Sequence, residues 1–151
     1  MKKENAAKRF LMRYVALCGR VDALQRAIDD AMERAFNTGV TLKEVKVLSS
    51  PAEHDPMARD VATAVDACEA LYQAKAEAAR SLQEILNAID VVQDETQKEL
   101  LTLRYINGCS FREIMNIMHY ENTQVFVIHG RALVQVNRWL SAREGLKSQA
   151  I

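Results

Sequence analysis

The sequence predicts an all-α fold, in which a long antiparallel, coiled-coil-like helical hairpin is followed by a small helix-turn-helix domain. Glycine and proline, which interrupt helices, occur only 5 and 2 times in 151 residues. Two long segments repeat apolar residues at alternating spacings of four and three, the period of a coiled-coil seam. The C-terminal segment instead breaks into shorter apolar stretches separated by turn residues. We therefore expect a helical arm over residues 1–95 and a second domain over residues 96–151.

The first helix is predicted over about residues 5–37. Asn37-Thr38-Gly39 favours a helix end, since glycine readily takes the left-handed conformation of a C-cap. The connection that follows, about 38–55, has a half-apolar stretch over 40–48 that suits either a short helix or an extended piece. The apolar seam of the first helix consists of Phe10, Tyr14, Leu17, Val21, Leu24, Ile28, Ala31 and Ala35.

The second helix is predicted over about residues 56–93. Asp55 can cap the amides of the first turn, and Pro56 fits the first helical position. Lys75 is the one charged residue of the seam, and its stem can extend outwards. Because a two-helix hairpin has a thin core, we expect a homo-oligomer, most simply a dimer. The seam consists of Val61, Val65, Cys68, Tyr72, Lys75, Ala79, Leu82, Leu86 and Ile89.

Short helices with turns between them are predicted from about Thr96 onwards. An apolar helix closes at Asn107-Gly108, and Ser110 and Glu113 form a capping-box pattern that opens a short second helix. A tight connection over 119–122 leads to a last helix of about 123–139. This succession is the layout of a helix-turn-helix. The expected inner face of the last helix is Val125, Ile128, Ala132, Leu133 and Val136.

The stretch 100–114, which reads Leu-Leu-Thr-Leu-Arg-Tyr-Ile-Asn-Gly-Cys-Ser-Phe-Arg-Glu-Ile, resembles region 4 of bacterial sigma factors. That family has the pattern L-x-L-R-Y-x-x-G-x-S-x-x-E-I, followed by T-V and R-A-L where Val125 and Arg131-Ala132-Leu133 stand here. The whole chain is also similar to phage and prophage proteins that join a helical hairpin, an Asp-Pro-x-Ala segment (residues 55–58 here) and a sigma-region-4-like module. Phage activators of the RinA and ArpU types are neighbours of that family.

The resemblance implies a phage-type DNA-binding transcriptional regulator that reads double-stranded DNA with the helix beginning near Asn122. RNA polymerase is a second candidate partner. By analogy with region 4, the base-facing residues are Asn122, Thr123, Phe126 and Val127. Phosphate contacts are expected from Arg104, Arg112, Arg131, Arg138 and Lys147.

Two residues depart from the region 4 pattern at the turn. His119 stands where the family has glycine, and histidine tolerates a left-handed backbone better than most residues. Glu121 stands where the family has a serine or threonine cap. Glutamate is a poor N-cap, so we expect Asn122 or Thr123 to take over that role.

Composition bears on the partner and on the chemistry. The net charge is zero, but residues 1–20 carry six basic and one acidic side chain, residues 21–95 seven and fifteen, and residues 96–151 seven and four. The basic ends suit a polyanion, whereas the acidic middle argues against DNA running along the whole molecule. No phosphate loop, nucleophile elbow or metal-ligand spacing occurs, so we expect no enzyme activity, cofactor or metal. We expect Cys18, Cys68 and Cys109 to be small, buried, reduced thiols.

The N-terminus has charge without an apolar signal region, and no stretch approaches the roughly 18 apolar residues of a membrane span. We therefore expect a cytoplasmic protein of a bacterial host cell that does not enter the membrane. Two other functions remain open. One is a DNA-packaging protein like the small terminase subunits, which join helix-turn-helix domains to oligomerising helices. The other is an adaptor whose Phe126-Val127 pair binds protein instead of DNA.

Overall fold

The computed structural model describes residues 5–41 and 56–150, which form five α-helices and no strand. This confirms the predicted all-α fold class. The predicted cap at Asp55 and the conformation of residues 42–55 lie outside the described residues. The helices are α1 (Ala6–Thr41), α2 (Pro56–Asp90), α3 (Glu95–Tyr105), α4 (Phe111–Met118) and α5 (Asn122–Gln149).

Two helices are longer than the sequence predicts. Helix α1 continues through Gly39 to Thr41, because a glycine inside a helix costs only about 1 kcal/mol and does not by itself end it. Helix α5 continues ten residues beyond Trp139 to Gln149. Residues 140–149 are mostly helix formers, and the Arg143 guanidinium lies 4.6 Å from the centre of the Trp139 ring one turn earlier.

The chain divides into two compact units, and the division does not fall at the predicted boundary between residues 95 and 96. Residues 1–16 and 78–151 make up one unit, which we call the composite unit. Residues 17–77 make up the other, which we call the arm unit. Helices α1 and α2 therefore each contribute to both units.

The core of the composite unit joins the first turns of α1 and the last turns of α2 to α3 and α5. Asn5 caps α1, since its Oδ1 accepts the Ala7 N–H at 3.0 Å, and Asn137 of α5 also accepts that N–H at 2.9 Å. The Trp139 ring packs 6.0 Å from that of Phe10. The buried cluster consists of Ala7, Leu11, Ile85, Ala88, Ile89, Val92, Leu101, Tyr105, Ala132, Leu133 and Val136.

In the arm unit, the seam predicted for α1 is confirmed. Leu17, Ile28, Ala31 and Ala35 are buried, and the other two seam residues between Leu17 and Ala35 are half-buried. Near the end of α1, Arg34 Nε lies 3.8 Å from the carboxylate of Asp60, which belongs to the second turn of α2.

The seam predicted for α2 is wrong over most of its length. Val61, Val65 and Tyr72 are 45%, 61% and 78% exposed, and Lys75 lies in solvent beside them. The buried face is rotated by a residue or so, about 100° around the helix. Alanine occupies most of that face, and its small side chain lets a neighbouring backbone approach closely. The buried residues of α2 are Ala64, Ala74, Ala78, Ser81, Ile85, Ala88 and Ile89.

The expectation of three buried thiols is also wrong. Cys68 is exposed on the outer face of α2, and Cys18 and Cys109 are only half-buried. None of the helices described combines the length and the apolarity that crossing a membrane would require.

Candidate nucleic-acid interface

Helix α4 begins at the predicted capping box. The Ser110 Oγ accepts the Glu113 N–H at 3.2 Å, while the Ser110 N–H and hydroxyl donate to the Glu113 carboxylate at 2.7 and 2.8 Å. These bonds, that from the backbone above all, hold the pKa of Glu113 below its usual range. The box satisfies amides that the first turn would otherwise leave unpaired, so it fixes where α4 starts.

The connection from α4 to α5 is a turn of three residues, 119–121. His119, the C-cap residue of α4, adopts the left-handed conformation at φ 57°, which histidine tolerates better than most residues. The Tyr120 N–H donates to the Met115 carbonyl at 3.3 Å and closes the end of α4. A turn this short places the start of α5 directly after α4.

Helix α5 begins at Asn122, with Glu121 as its N-cap residue. The expectation that Asn122 or Thr123 would take over the cap is therefore wrong. Gln124, the third helical residue, supplies the compensation: its Oε1 accepts the Glu121 N–H at 3.2 Å. The predicted start of the helix near Asn122 is confirmed.

A small core holds α3, α4 and α5 together. Leu100, Ile114 and Val125 are fully buried there, one from each helix. The buried side of α5 continues through Ala132, Leu133 and Val136, as predicted. The opposite side of its first turns is thus free of the core.

The four predicted base-facing residues, Asn122, Thr123, Phe126 and Val127, are all exposed on the first turns of α5. Phe126 and Val127 are 49% and 46% exposed. The Phe126 ring lies 4.8 Å from that of Phe111, the first residue of α4. Phe126 therefore packs against α4 through its contact with Phe111, and about half of its surface remains exposed to solvent.

A shallow depression of about 280 Å³ opens beside these residues. It contains two of the predicted base-facing side chains and one predicted phosphate contact, Arg131. The other three lining residues were not predicted from the sequence, because residues of their types, unlike arginine, do not by themselves indicate DNA binding. The lining residues are Tyr120, Thr123, Gln124, Val127, Ile128 and Arg131.

Arg104, a predicted phosphate contact, makes contacts within the protein. Its Nη1 donates to the Cys109 carbonyl at 2.9 Å, and its guanidinium lies 4.6 Å from the centre of the Phe111 ring. The side chain is half-buried between the end of α3 and the start of α4. It links the two helices, a role that the sequence pattern does not reveal.

The other four predicted phosphate contacts are exposed but do not lie together. Arg112 is on the first turn of α4, and Arg131 is beside the depression. Arg138 and Lys147 follow Asn122 by about 24 and 38 Å along α5, at 1.5 Å per residue. A major groove is about 12 Å wide. Arg112 and Arg131 are thus the basic residues nearest to the base-facing group in chain position.

Behind the exposed face, α3 and α5 share a buried polar pair that sequence reasoning missed. The Tyr105 hydroxyl and His129 Nε2 are 2.8 Å apart, and the rings of His129 and Phe111 are nearly perpendicular, with their centres 5.2 Å apart. Burial lowers the pKa of His129 to about 4, with the charges of Lys8 and Arg104 acting in the same direction. Burial raises the pKa of Tyr105 to about 12. The pair is therefore neutral, and it fixes the rotation of α5 against α3.

Within residues 5–41 and 56–150, no three His, Cys, Asp or Glu side chains are grouped as a metal ion would require. No known protein family, curated protein or solved structure matches this chain. The first turns of α5 present exposed amide, hydroxyl, aromatic and guanidinium groups.

Proposed function

We propose that this protein is a phage-type, sigma-region-4-like transcriptional regulator that reads double-stranded DNA with the first turns of α5. It acts in the cytoplasm of a bacterial host cell as a homo-oligomer, most simply a dimer, with α1 and α2 as an antiparallel hairpin. The observation that carries the proposal is which side chains of α5 are buried and which are exposed. Its inner face is anchored in a core, and Asn122, Thr123, Phe126 and Val127 are all exposed at its start.

The exposed side chains suit the edges of bases in a major groove. An asparagine amide such as that of Asn122 can pair with adenine through two hydrogen bonds. The methyl group of Thr123 and the exposed half of Phe126 suit the methyl group of thymine. Short α4, joined by a three-residue turn, braces α5 as the first helix of a helix-turn-helix does.

Phosphate contacts would come first from Arg131 and Arg112, which are exposed and close in the chain to the base-facing residues. Arg104 already bonds the Cys109 carbonyl, so its part is to hold α4 in place. Residues 96–151 carry seven basic and four acidic side chains, a balance that favours a polyanion.

The test is fluorescence anisotropy with labelled fragments that tile the gene's own neighbourhood, at two salt concentrations. One fragment bound far more tightly than the rest supports a specific regulator. Uniform, steeply salt-dependent binding means phosphate contact without base readout. Absence of binding at low salt rejects the proposal.

Substitutions distinguish contacts with the bases from contacts with the phosphates. Asn122→Ala should weaken the preferred fragment by roughly 5- to 150-fold and relax its specificity. Arg131→Ala should weaken all fragments alike and lower the salt dependence by about one ion. Arg26→Ala, an exposed arginine of the arm unit, is the charge-matched control and should change neither.

A second candidate is a protein-binding adaptor, which the apolar part of the depression favours. Tyr120, Val127 and Ile128 line it, and Val127 is nearly half exposed. Val127→Arg tests this more cleanly than Phe126→Arg, because Phe126 also packs on Phe111. The substitution should abolish protein binding if the adaptor is correct. If the first proposal is correct, DNA fragments should still be bound, but the preferred fragment should change because Val127 is one of the base-facing residues.

A further inference from the structure

The arm unit leaves its largest apolar side chains in solvent. Phe36 and Tyr72 are 76% and 78% exposed, and Met32, Val61 and Val65 are 57%, 45% and 61% exposed. We call these five residues the outer face. The buried residues between the helices are mostly smaller, and four of them are Ala31, Ala35, Ala64 and Ala74. This inverts the usual arrangement, in which large apolar residues fill the core.

Helix geometry places the outer face on one side of the arm unit. Met32 and Phe36 each follow a buried alanine by one residue in α1, and Val65 does the same in α2. One residue is a rotation of 100°. Because α1 and α2 run antiparallel in the hairpin, a rotation of 100° in each helix, measured from the face where the two helices pack, leads to the same side of the hairpin. Met32 and Phe36 of α1 therefore lie on the same side as Val65 of α2. Val61 and Tyr72 share the face of Val65 at spacings of four and seven.

The residues of the outer face also lie at similar levels along the hairpin. Arg34, which lies between Met32 and Phe36, contacts Asp60, the residue before Val61. The four side chains at this end therefore form one apolar patch, with Tyr72 further along it. With aromatic side chains of about 150–250 Å² each, the outer face amounts to roughly 500 Å². A standard interface buries about 800 Å² per partner, so these five residues would supply its apolar centre.

We infer that the outer face packs against the outer face of a second copy of this chain, forming a four-helix bundle in which α1 of each copy lies antiparallel to α2 of the other. The two-fold axis runs parallel to the helices, so no axial displacement is needed. Phe36 then meets the partner subunit's Val61, and Met32 meets the partner subunit's Val65. A two-fold interface requires such self-complementarity. This deepens the homo-oligomer of the proposed function and does not depend on DNA binding.

Charge selects this pairing of helices. Asp22 and Asp29 are exposed on the same side of α1 as Phe36, at spacings of fourteen and seven, and Lys75 is exposed on the same side of α2 as Tyr72. With α1 against α2, Asp22 faces the partner subunit's Lys75. With α1 against α1, the aspartates of the two copies would approach each other, which is unfavourable.

The first experiment measures the mass of the full chain in solution by light scattering, without DNA. The wild type should have twice the 17.0 kDa of one chain. Phe36→Glu should halve that mass, because a buried carboxylate at the patch has no partner. Ala27→Glu, exposed on the opposite side of α1, should remain a dimer. Circular dichroism checks that each variant keeps its helicity.

A wild type that stays monomeric at every concentration overturns the inference. A dimer that persists in Phe36→Glu also overturns it, because the contact would lie elsewhere. Both results leave DNA binding untouched, so failure here is distinct from failure of the proposed regulator.

A disulfide test fixes the pairing and does not require a disrupted interface. Asp29→Cys, with Cys18→Ser and Cys109→Ser, places a thiol opposite Cys68 of the partner subunit. Diamide, which is reduced as two thiols are oxidised, should convert most of the protein to a covalent dimer on a non-reducing gel. Asp30→Cys in the same background is the control, because Asp30 is exposed but rotated by about 100° from Asp29, away from the partner subunit's Cys68. Equal yields from the two variants would reject the proposed pairing.

Discussion

The composite unit and the arm unit place large and small side chains in opposite ways. In the composite unit, Tyr105, Leu101 and Ile114 are fully buried. In the arm unit, most of the buried residues are alanines, such as Ala31 and Ala64, while Phe36 is three-quarters exposed. The composite unit therefore closes its own core. The arm unit gains less from folding alone, and a partner on its outer face would supply the missing burial.

The helix ends show the same contrast. In the composite unit, Asp94 and Ser110 cap α3 and α4 through side-chain hydrogen bonds, and each of these helices has an acidic residue in its first turn. The two helix ends that lie in the arm unit lack such charges, since α1 has no basic residue in its last turn and α2 has no acidic residue in its first. Their dipoles receive no compensation of that kind, so the arm depends more on packing.

The largest expected effect compares one leucine in each unit. Leu101→Ala should lower the free energy of unfolding by about 2–5 kcal/mol, because Leu101 is fully buried and a cavity would remain. Leu24→Ala, at a half-buried position of the arm unit, should cost less than half as much. Urea unfolding, followed by circular dichroism and by the fluorescence of Trp139, measures both. Equal losses would mean that the two cores are equally well packed.

A second prediction concerns the composite unit at acidic pH. Because its pKa is lowered to about 4 in the folded state, His129 binds its proton more readily in the unfolded chain, near the usual 6.5. The contribution of neutral His129 to stability is fully present above about pH 6.5 and is lost as the pH falls towards 4, by on the order of 3 kcal/mol. Unfolding in urea between pH 7 and 4, observed at Trp139, measures this loss. His129→Gln should flatten the profile, and an unchanged profile would show that other groups cause it.

The smallest expected effect concerns the N-cap of α4. Ser110→Ala should lower the stability of the composite unit by about 1 kcal/mol, because the Glu113 amide loses its acceptor and the Glu113 carboxylate loses a donor. Ser110→Thr keeps the hydroxyl and should recover most of that stability. The same unfolding measurement applies. If Ser110→Ala were neutral, the contrast between the helix ends of the two units would carry no energetic weight.

The sequence predicted best where the local chemistry has one solution. A serine three residues before a glutamate gave the start of α4, and the seam of α1 was correct from Leu17 to Ala35 because its alternative faces are polar. The reading of α2 failed because alanine is compatible with burial and with exposure. Large residues such as Tyr72 then suggested the wrong face.

For the candidate interface, the sequence predicted which turns of α5 are exposed but not how they are supported. The contact of Arg104 with Phe111 and the bond between Tyr105 and His129 each join residues from different helices. Such contacts depend on how helices rotate against each other, and periodicity within one helix does not contain that information. The ten additional residues of α5 were missed because Trp139 resembled the end of a buried stripe.

The hydrogen bond between Ala7 and Asn137 joins residues 130 positions apart, so it can form only late in the synthesis of the chain. At 5–20 residues per second, the start of α1 leaves the exit tunnel roughly ten seconds before its partner in α5 has been translated. Until then, the apolar side of its first turns has no finished core to enter. Nascent chains halted between residues 78 and 137 would therefore expose that side to chaperones and proteases, whereas all residues of the arm unit have already been translated in them.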